Sequence, residues 1–151
     1  MTPTATDIIR PIDESALASV RAVESDMLAV DQTQLPVHHT LHGGAYTRSL
    51  RIPAGVMICG SLIKVPTTLI VSGNVTVWAN GEAIDIEGYQ VLVGAAGRKQ
   101  IFYAHLDTDM TMVFATSAKT VDEAEREFTE EWDMLASREH PDINTEIVTG
   151  E

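Results

Sequence analysis

Three histidines lie within five residues of one another: His38, His39 and His42. Imidazoles grouped this closely could hold a divalent metal or pass a proton. No further donor follows at a defined spacing. The segment therefore reads as a loop before the first strand, its histidines in exposed or inter-subunit hydrogen bonds. His105 precedes Asp107 and Asp109. A strand-end histidine beside two acids could form a general-base pair, but the pattern also fits a polar turn, and it reads as that turn. Arg98-Lys99 follows Gly97 and is the best candidate contact for an anion, against the plainer reading of a solvated turn. Cys59 closes the apolar run Val56-Met57-Ile58-Cys59 and reads as a small buried hydrophobe. A solitary cysteine cannot form an internal disulfide, and the absence of Cys-x-x-Cys removes the usual cysteine metal site. His140 carries no argument. No Gly-x-Ser-x-Gly elbow, phosphate-binding loop or Gly-x-Gly-x-x-Gly fingerprint occurs.

Those residues sit in a chain of 151 residues with a formal net charge of −12. The length suits one domain with a sizeable core. The acidity argues against nucleic acid or an anionic membrane as a partner. Residues 121–151 hold eleven acids and two bases, so most of the excess belongs to the C-terminal end. No window approaches the roughly 20 apolar residues of a membrane-spanning helix. The start, Met1-Thr2-Pro3-Thr4, does not read as a secretory signal.

The elements that must position these groups follow from periodicity. Residues 1–36 read as a helical arm. Pro3 and Pro11 break its first part. Leu17, Val20, Met27 and Leu28 then recur at helical spacing between Asp13 and Val30. Residues 37–118 read as a β-barrel. Its strands are expected at Tyr46–Ile52, Val56–Cys59, Thr67–Val71, Val75–Trp78, Ala83–Ile86, Tyr89–Val93, Gln100–Ala104 and Met110–Ala115. Ser72-Gly73-Asn74 and Asn80-Gly81 read as hairpin turns. Residues 119–138 read as one amphipathic helix, opened by a Thr120/Glu123 capping box, with Val121, Ala124, Phe128, Trp132 and Leu135 on one stripe. Its many acids read as a solvated face, or alternatively as a surface for a basic partner. Residues 139–151 read as a loose acidic tail.

The β series resembles the cupins, small double-sheet jelly rolls. Gly55 and Gly73 stand at the ends of the family's first motif. Gly88 and Ala95-Ala96-Gly97 stand in its second. The family's metal-ligand positions then fall on Ser61, Ile63, Pro66 or Thr67, and Gln100. None of these is a good metal donor. A narrower likeness lies in His38-His39, His42-Gly43-Gly44, Tyr46-Thr47-Arg48 and Ile52-Pro53-Ala54-Gly55-Val56, with Gly97–Ala104 and Asp107-Thr108 further on. This combination resembles cupin-like proteins of tailed bacteriophages and prophages, over roughly residues 37–130.

The resemblance implies a mainly β fold: a cupin-like double-stranded β-helix flanked by an N-terminal helix and a C-terminal amphipathic helix. It also implies a non-enzymatic structural or decoration protein of the virion, made in the bacterial host cytoplasm, with no cofactor and no metal. Its partners would be other copies of itself, as a homo-oligomer, and other virion proteins. Leu17, Val20, Met27, Phe128 and Trp132 are the candidate interface residues. A second expectation is a module that binds a nucleotide or sugar in the barrel through Thr67, Arg98, Gln100 and Tyr103. A metal-dependent cupin enzyme is the third.

Overall fold

The structure is a computed structural model, and it describes residues 9–151. The break at Pro3 and the reading of Met1-Thr2-Pro3-Thr4 lie outside the described residues. A helix, α1 (Glu14–Leu28), precedes seven strands: β1 (Val37–His42), β2 (Ala45–Ile52), β3 (Met57–Cys59), β4 (Thr67–Ala79), β5 (Glu82–Gly94), β6 (Ile101–Ala104) and β7 (Thr108–Ala115). The chain ends in α2 (Val121–Phe128), a 3-10 turn at Trp132–Met134, α3 (Ala136–Glu139), a 3-10 turn at Pro141–Ile143, and β8 (Thr145–Val148). The eight strands form one sheet in the order β3-β6-β4-β7-β2-β1-β8, with β5 on the other flank of β4.

The central hairpin is longer than its sequence suggests. Asn80 and Gly81 make the expected tight turn, with φ of 48° and 81°. Ser72-Gly73-Asn74 is no turn at all. The four strands expected between Thr67 and Val93 are two long ones, β4 and β5, paired over their whole length. Gly73 is needed there for a different reason. The far flank of β4 pairs with β7 up to Ser72 and with β6 from Val75. At the changeover the chain between β6 and β7 passes directly over Gly73. A Cβ at that position would lie 2.7 Å from Thr108 Cα and 2.8 Å from the Asp107 carbonyl oxygen. Gly73 pairs with Gly88, whose φ is 73°. Among the described residues, the outer flank of β5 carries only the bridge from Ile9 to Gly94.

Alternating residues fill the barrel from both ends. One core gathers Ile52, Val71, Val75, Val77, Ile86 and Ala104. The other gathers Tyr46, Phe114, Ala124 and Phe128. Thr120 caps α2 by accepting from the Glu123 amide at 3.1 Å, and the Glu123 carboxylate accepts from the Lys119 amide. The single helix expected over 119–138 does not form. Thr129 turns extended, is wholly buried, and donates to the Leu62 carbonyl oxygen, so docking on the barrel ends α2 there. The expected loose tail instead supplies β8, which runs parallel to β1 and covers its flank. Asn144 starts that pairing by accepting from the Val37 amide and donating to the Ser137 carbonyl oxygen.

Candidate functional site

Between the two cores lies a cavity of about 620 Å³. Its inner wall is apolar: Leu50, Leu69, Phe102, Met110 and Met112 face it from β2, β4, β6 and β7. The end of α1 and the connector after it form one outer wall, with Met27, Gln34 and Leu35. Leu135, His140 and Ile143 form another. Gln34 and His140 meet across the two outer segments at 3.3 Å.

Three of the four residues singled out for ligand binding converge beside this cavity. Arg98 and Gln100 line it, and both are buried, at 2% and 5% exposure. Arg98 Nη2 donates to Thr67 Oγ1, Nη1 to the Ala95 carbonyl oxygen, and Nε to Gln100 Oε1 at 3.3 Å. The expected solvated turn at Arg98-Lys99 is thus a buried segment leading into β6. Among the described residues no carboxylate lies within 4.0 Å of the Arg98 guanidinium. Burial without a counter-charge lowers its pKa to about 10. The contact from Arg98 Nε fixes the oxygen end of the Gln100 amide. Its Nε2 has no partner, although buried donors are nearly always paired.

Gly94 makes room for this arrangement. A Cβ there would stand 2.8 Å from Arg98 Nε and Nη1. Sequence reasoning missed Gly94, because a glycine at the end of a strand, just before the turn at Ala96-Gly97, reads as turn punctuation. Tyr103 does not join the group. It lies on the outer face, edge-on to His105 at 5.1 Å. His105 contacts Thr76 Oγ1, which donates to Asp85. Asp107 accepts from the Ala54 amide and Asp109 pairs with Arg51, so His105 forms no pair with either acid.

Lys99 turns to α1 and the C-terminal segment, beside residues that line the same cavity. Its buried ammonium donates to the Gly60 carbonyl oxygen at 2.9 Å and to Glu24 of α1 at 2.8 Å, with Glu131 at 3.6 Å. This cluster ties the N-terminal arm and the C-terminal segment to the barrel. Cys59 is half-buried and donates to Glu24, and burial pushes its thiol up to about 12. A thiol held neutral is a poor nucleophile.

The histidine segment is a strand, β1, not a loop. His38 is exposed, and His42 meets Thr149 Oγ1. His39 points inward at 2% exposure, and its Nδ1 lies 2.7 Å from Tyr46 Oη, a bond within the chain rather than between subunits. Beyond it, Arg48 donates to Glu125 at 2.8 Å, and Glu125 also accepts from Ser137 and Arg138. Burial, reinforced by the nearby Arg48, lowers the pKa of His39 to about 4. The unfolded chain binds this proton first, so the folded state loses stability as pH falls from about 6.5 towards 4. Urea midpoints measured across that window should fall in the wild type and flatten in His39→Gln. An equal slope in both would exclude His39 as the cause.

The C-terminal acids are largely spoken for. Asp122 contacts Arg126 and Arg138, Glu130 contacts Lys64, and Glu131 contacts Arg21 and the Leu62 amide. Others, among them Asp133, Glu139, Asp142 and Glu146, are exposed. Of the candidate interface residues, Phe128 is 1% exposed and belongs to its own core. Trp132 is stacked under the Arg126 guanidinium, whose Cζ lies 3.6 Å from the centre of the indole ring. Val20 is buried, while Leu17 and Met27 are half-buried.

The residues at the cupin ligand positions do not fit a divalent metal. Ser61 is a weak neutral donor, Ile63 has none, and the Arg98 cation beside Thr67 and Gln100 repels a second positive charge. Among the described residues no three His, Cys, Asp or Glu side chains converge as a metal site would require.

No family model matches the chain, and no curated protein does. Solved structures do. Salicylate 1,2-dioxygenase from Pseudoaminobacter salicylatoxidans matches with a TM-score of 0.51 at 15% identity, over 75% of this chain and 34% of that one. A cupin-2 domain protein from Shewanella frigidimarina gives 0.45 at 8% identity, over 66% of this chain and 98% of that one. The Cupin_2 domain of an XRE family transcriptional regulator from Enterobacter cloacae gives 0.45 at 12%, over 54% and 96%. The likeness is one of fold. The chain is mainly β and cupin-like, with an N-terminal helix and short C-terminal helices. Its structural neighbours include an enzyme and a regulator domain.

Proposed function

We propose that the protein is a metal-free, non-enzymatic cupin-like barrel that binds a small molecule in the cavity between its two cores. The observation that carries this reading is the unpartnered, buried Gln100 Nε2 beside an uncompensated Arg98, both lining about 620 Å³ of space. Ligand sites of this kind are largely apolar, with a few convergent polar groups. Nucleotides and sugars remain the ligand classes expected from the sequence. A thermal-shift screen over nucleotides, sugars and organic acids tests the reading. At least one class should raise the melting temperature of the wild type and not of Gly94→Ala, which displaces the Arg98 guanidinium. Silence across the screen overturns it, and stoichiometric iron, manganese, nickel or zinc in the purified protein overturns its metal-free part.

A second reading is a virion-associated structural protein that assembles with copies of itself and with other virion proteins, after synthesis in the host cytoplasm. One observation favours it beyond the sequence resemblance. Tyr89, Val91 and Val93 project from the outer face of β5 at 68%, 57% and 56% exposure, an apolar stripe suited to an interface. Mass spectrometry of purified phage particles tests this reading, and absence from them removes it.

A further inference from the structure

We infer that the cavity takes a small monocarboxylate with an apolar body, its carboxylate seated on Arg98 and Gln100. This rests on the small-molecule reading above and names the ligand class for that site. The Arg98 guanidinium carries five N–H donors. Its three nitrogens each make one protein contact, to Gln100, Ala95 and Thr67, so one N–H on each terminal nitrogen is left over. Gln100 Nε2 adds further donors with no acceptor. These donors surround a single uncompensated cation, which a planar two-oxygen anion would pair and neutralise.

The charge count argues against a phosphate dianion. The neighbouring cation Lys99 is already held by Glu24 and Glu131, and Arg48 by Glu125. One free positive charge in a buried site matches one negative charge, since any excess would stay unpaired away from water. Four carboxylates line the cavity, Glu24 and Glu131, which hold Lys99, and the exposed Asp31 and Glu139; together they repel a multiply charged ligand. The apolar inner wall then favours a hydrocarbon or aromatic body over a sugar.

The test uses sodium octanoate and phenylacetate against octanol and octyl phosphate, read by calorimetry and thermal shift on the full chain. Two variants accompany it. Arg98→Met removes the cation. Gln100→Glu places an internal carboxylate on the guanidinium, so it should fold at least as stably as the wild type while competing with the ligand. The carboxylates should bind the wild type, with octanol and octyl phosphate weaker by about tenfold or more, and both variants should weaken carboxylate binding by at least about tenfold. Octanol binding as well as octanoate, with Gln100→Glu unaffected, overturns the carboxylate assignment while leaving a small-molecule site in place. Tighter binding of octyl phosphate also overturns it, as does failure of both carboxylates. A nucleotide or sugar hit in the wider screen would then keep the parent reading.

Discussion

Gly73→Ala should lower the stability of the domain by about 3 kcal/mol, from overpacking and from a side chain forced into a conformation that favours glycine. The cause is local and specific. The added methyl would meet Thr108 and the Asp107 carbonyl, both part of the segment that carries the chain from β6 to β7. Neither backbone can retreat easily, because Thr108 Oγ1 also donates to the Leu106 carbonyl oxygen and accepts from the Asn74 amide. For a chain of this size the melting temperature should drop by roughly 6–12 °C. Gly55→Ala is the matched comparison. Its φ of 83° is equally unusual, but its Cβ would meet nothing within 4 Å, so only about 1 kcal/mol of backbone strain is expected. Equal losses in the two variants would show that crowding over Gly73 contributes nothing.

The second large effect is expected at Glu125. Its carboxylate is buried and accepts from Arg48, Ser137 and Arg138, joining β2 to α2 and α3. Glu125→Gln keeps the shape and removes the charge, leaving the Arg48 guanidinium buried with no compensation. Breaking one partner of such a pair costs about 3–5 kcal/mol. Urea denaturation of Glu125→Gln and of Asp109→Asn should separate the cases. Asp109 pairs with Arg51 in the open, where an ion pair contributes about 1 kcal/mol or less. A loss at Glu125 as small as that at Asp109 would mean that the Arg48 network does not anchor the C-terminal segment.

Both effects lie where the amino-acid pattern was least informative. Strand alternation made the barrel legible, and Asn80-Gly81 marked its central turn correctly. Gly73 looked the same as a turn glycine, because a glycine needed for close approach and one needed for reversal carry the same letter. The C-terminal stripe of Val121, Ala124 and Phe128 was readable, but the end of α2 at Thr129 depends on a bond to Leu62, far away in the chain. The candidate site was half visible. Thr67 and Gln100 were named from motif positions and Arg98 as an anion contact, and the three do converge. Tyr103 was not separable from them, because a strand's parity has to be known before its faces can be assigned. Arg98-Lys99 read as exposed since charges usually are. Here Lys99 is buried on carboxylates from α1 and the C-terminal segment, partners that no local pattern announces. The C-terminal acids were read as surface, and most are exposed, but Glu125 and Glu131 are spent on internal cations.

The positive φ at Gly88 bears on how the molecule behaves in crowded solution. Among the described residues, β5 is thirteen residues long and its outer flank is bonded only at the Gly94 end; such a flank offers a template on which further chains could add, the first step towards fibrous growth. With φ at 73°, Gly88 departs from the extended backbone that a regular ladder repeats. An incoming extended strand could follow the flank up to that residue but not through it. The glycine thus acts as a guard against open-ended growth while leaving the apolar stripe at Tyr89, Val91 and Val93 available for a closed, finite contact.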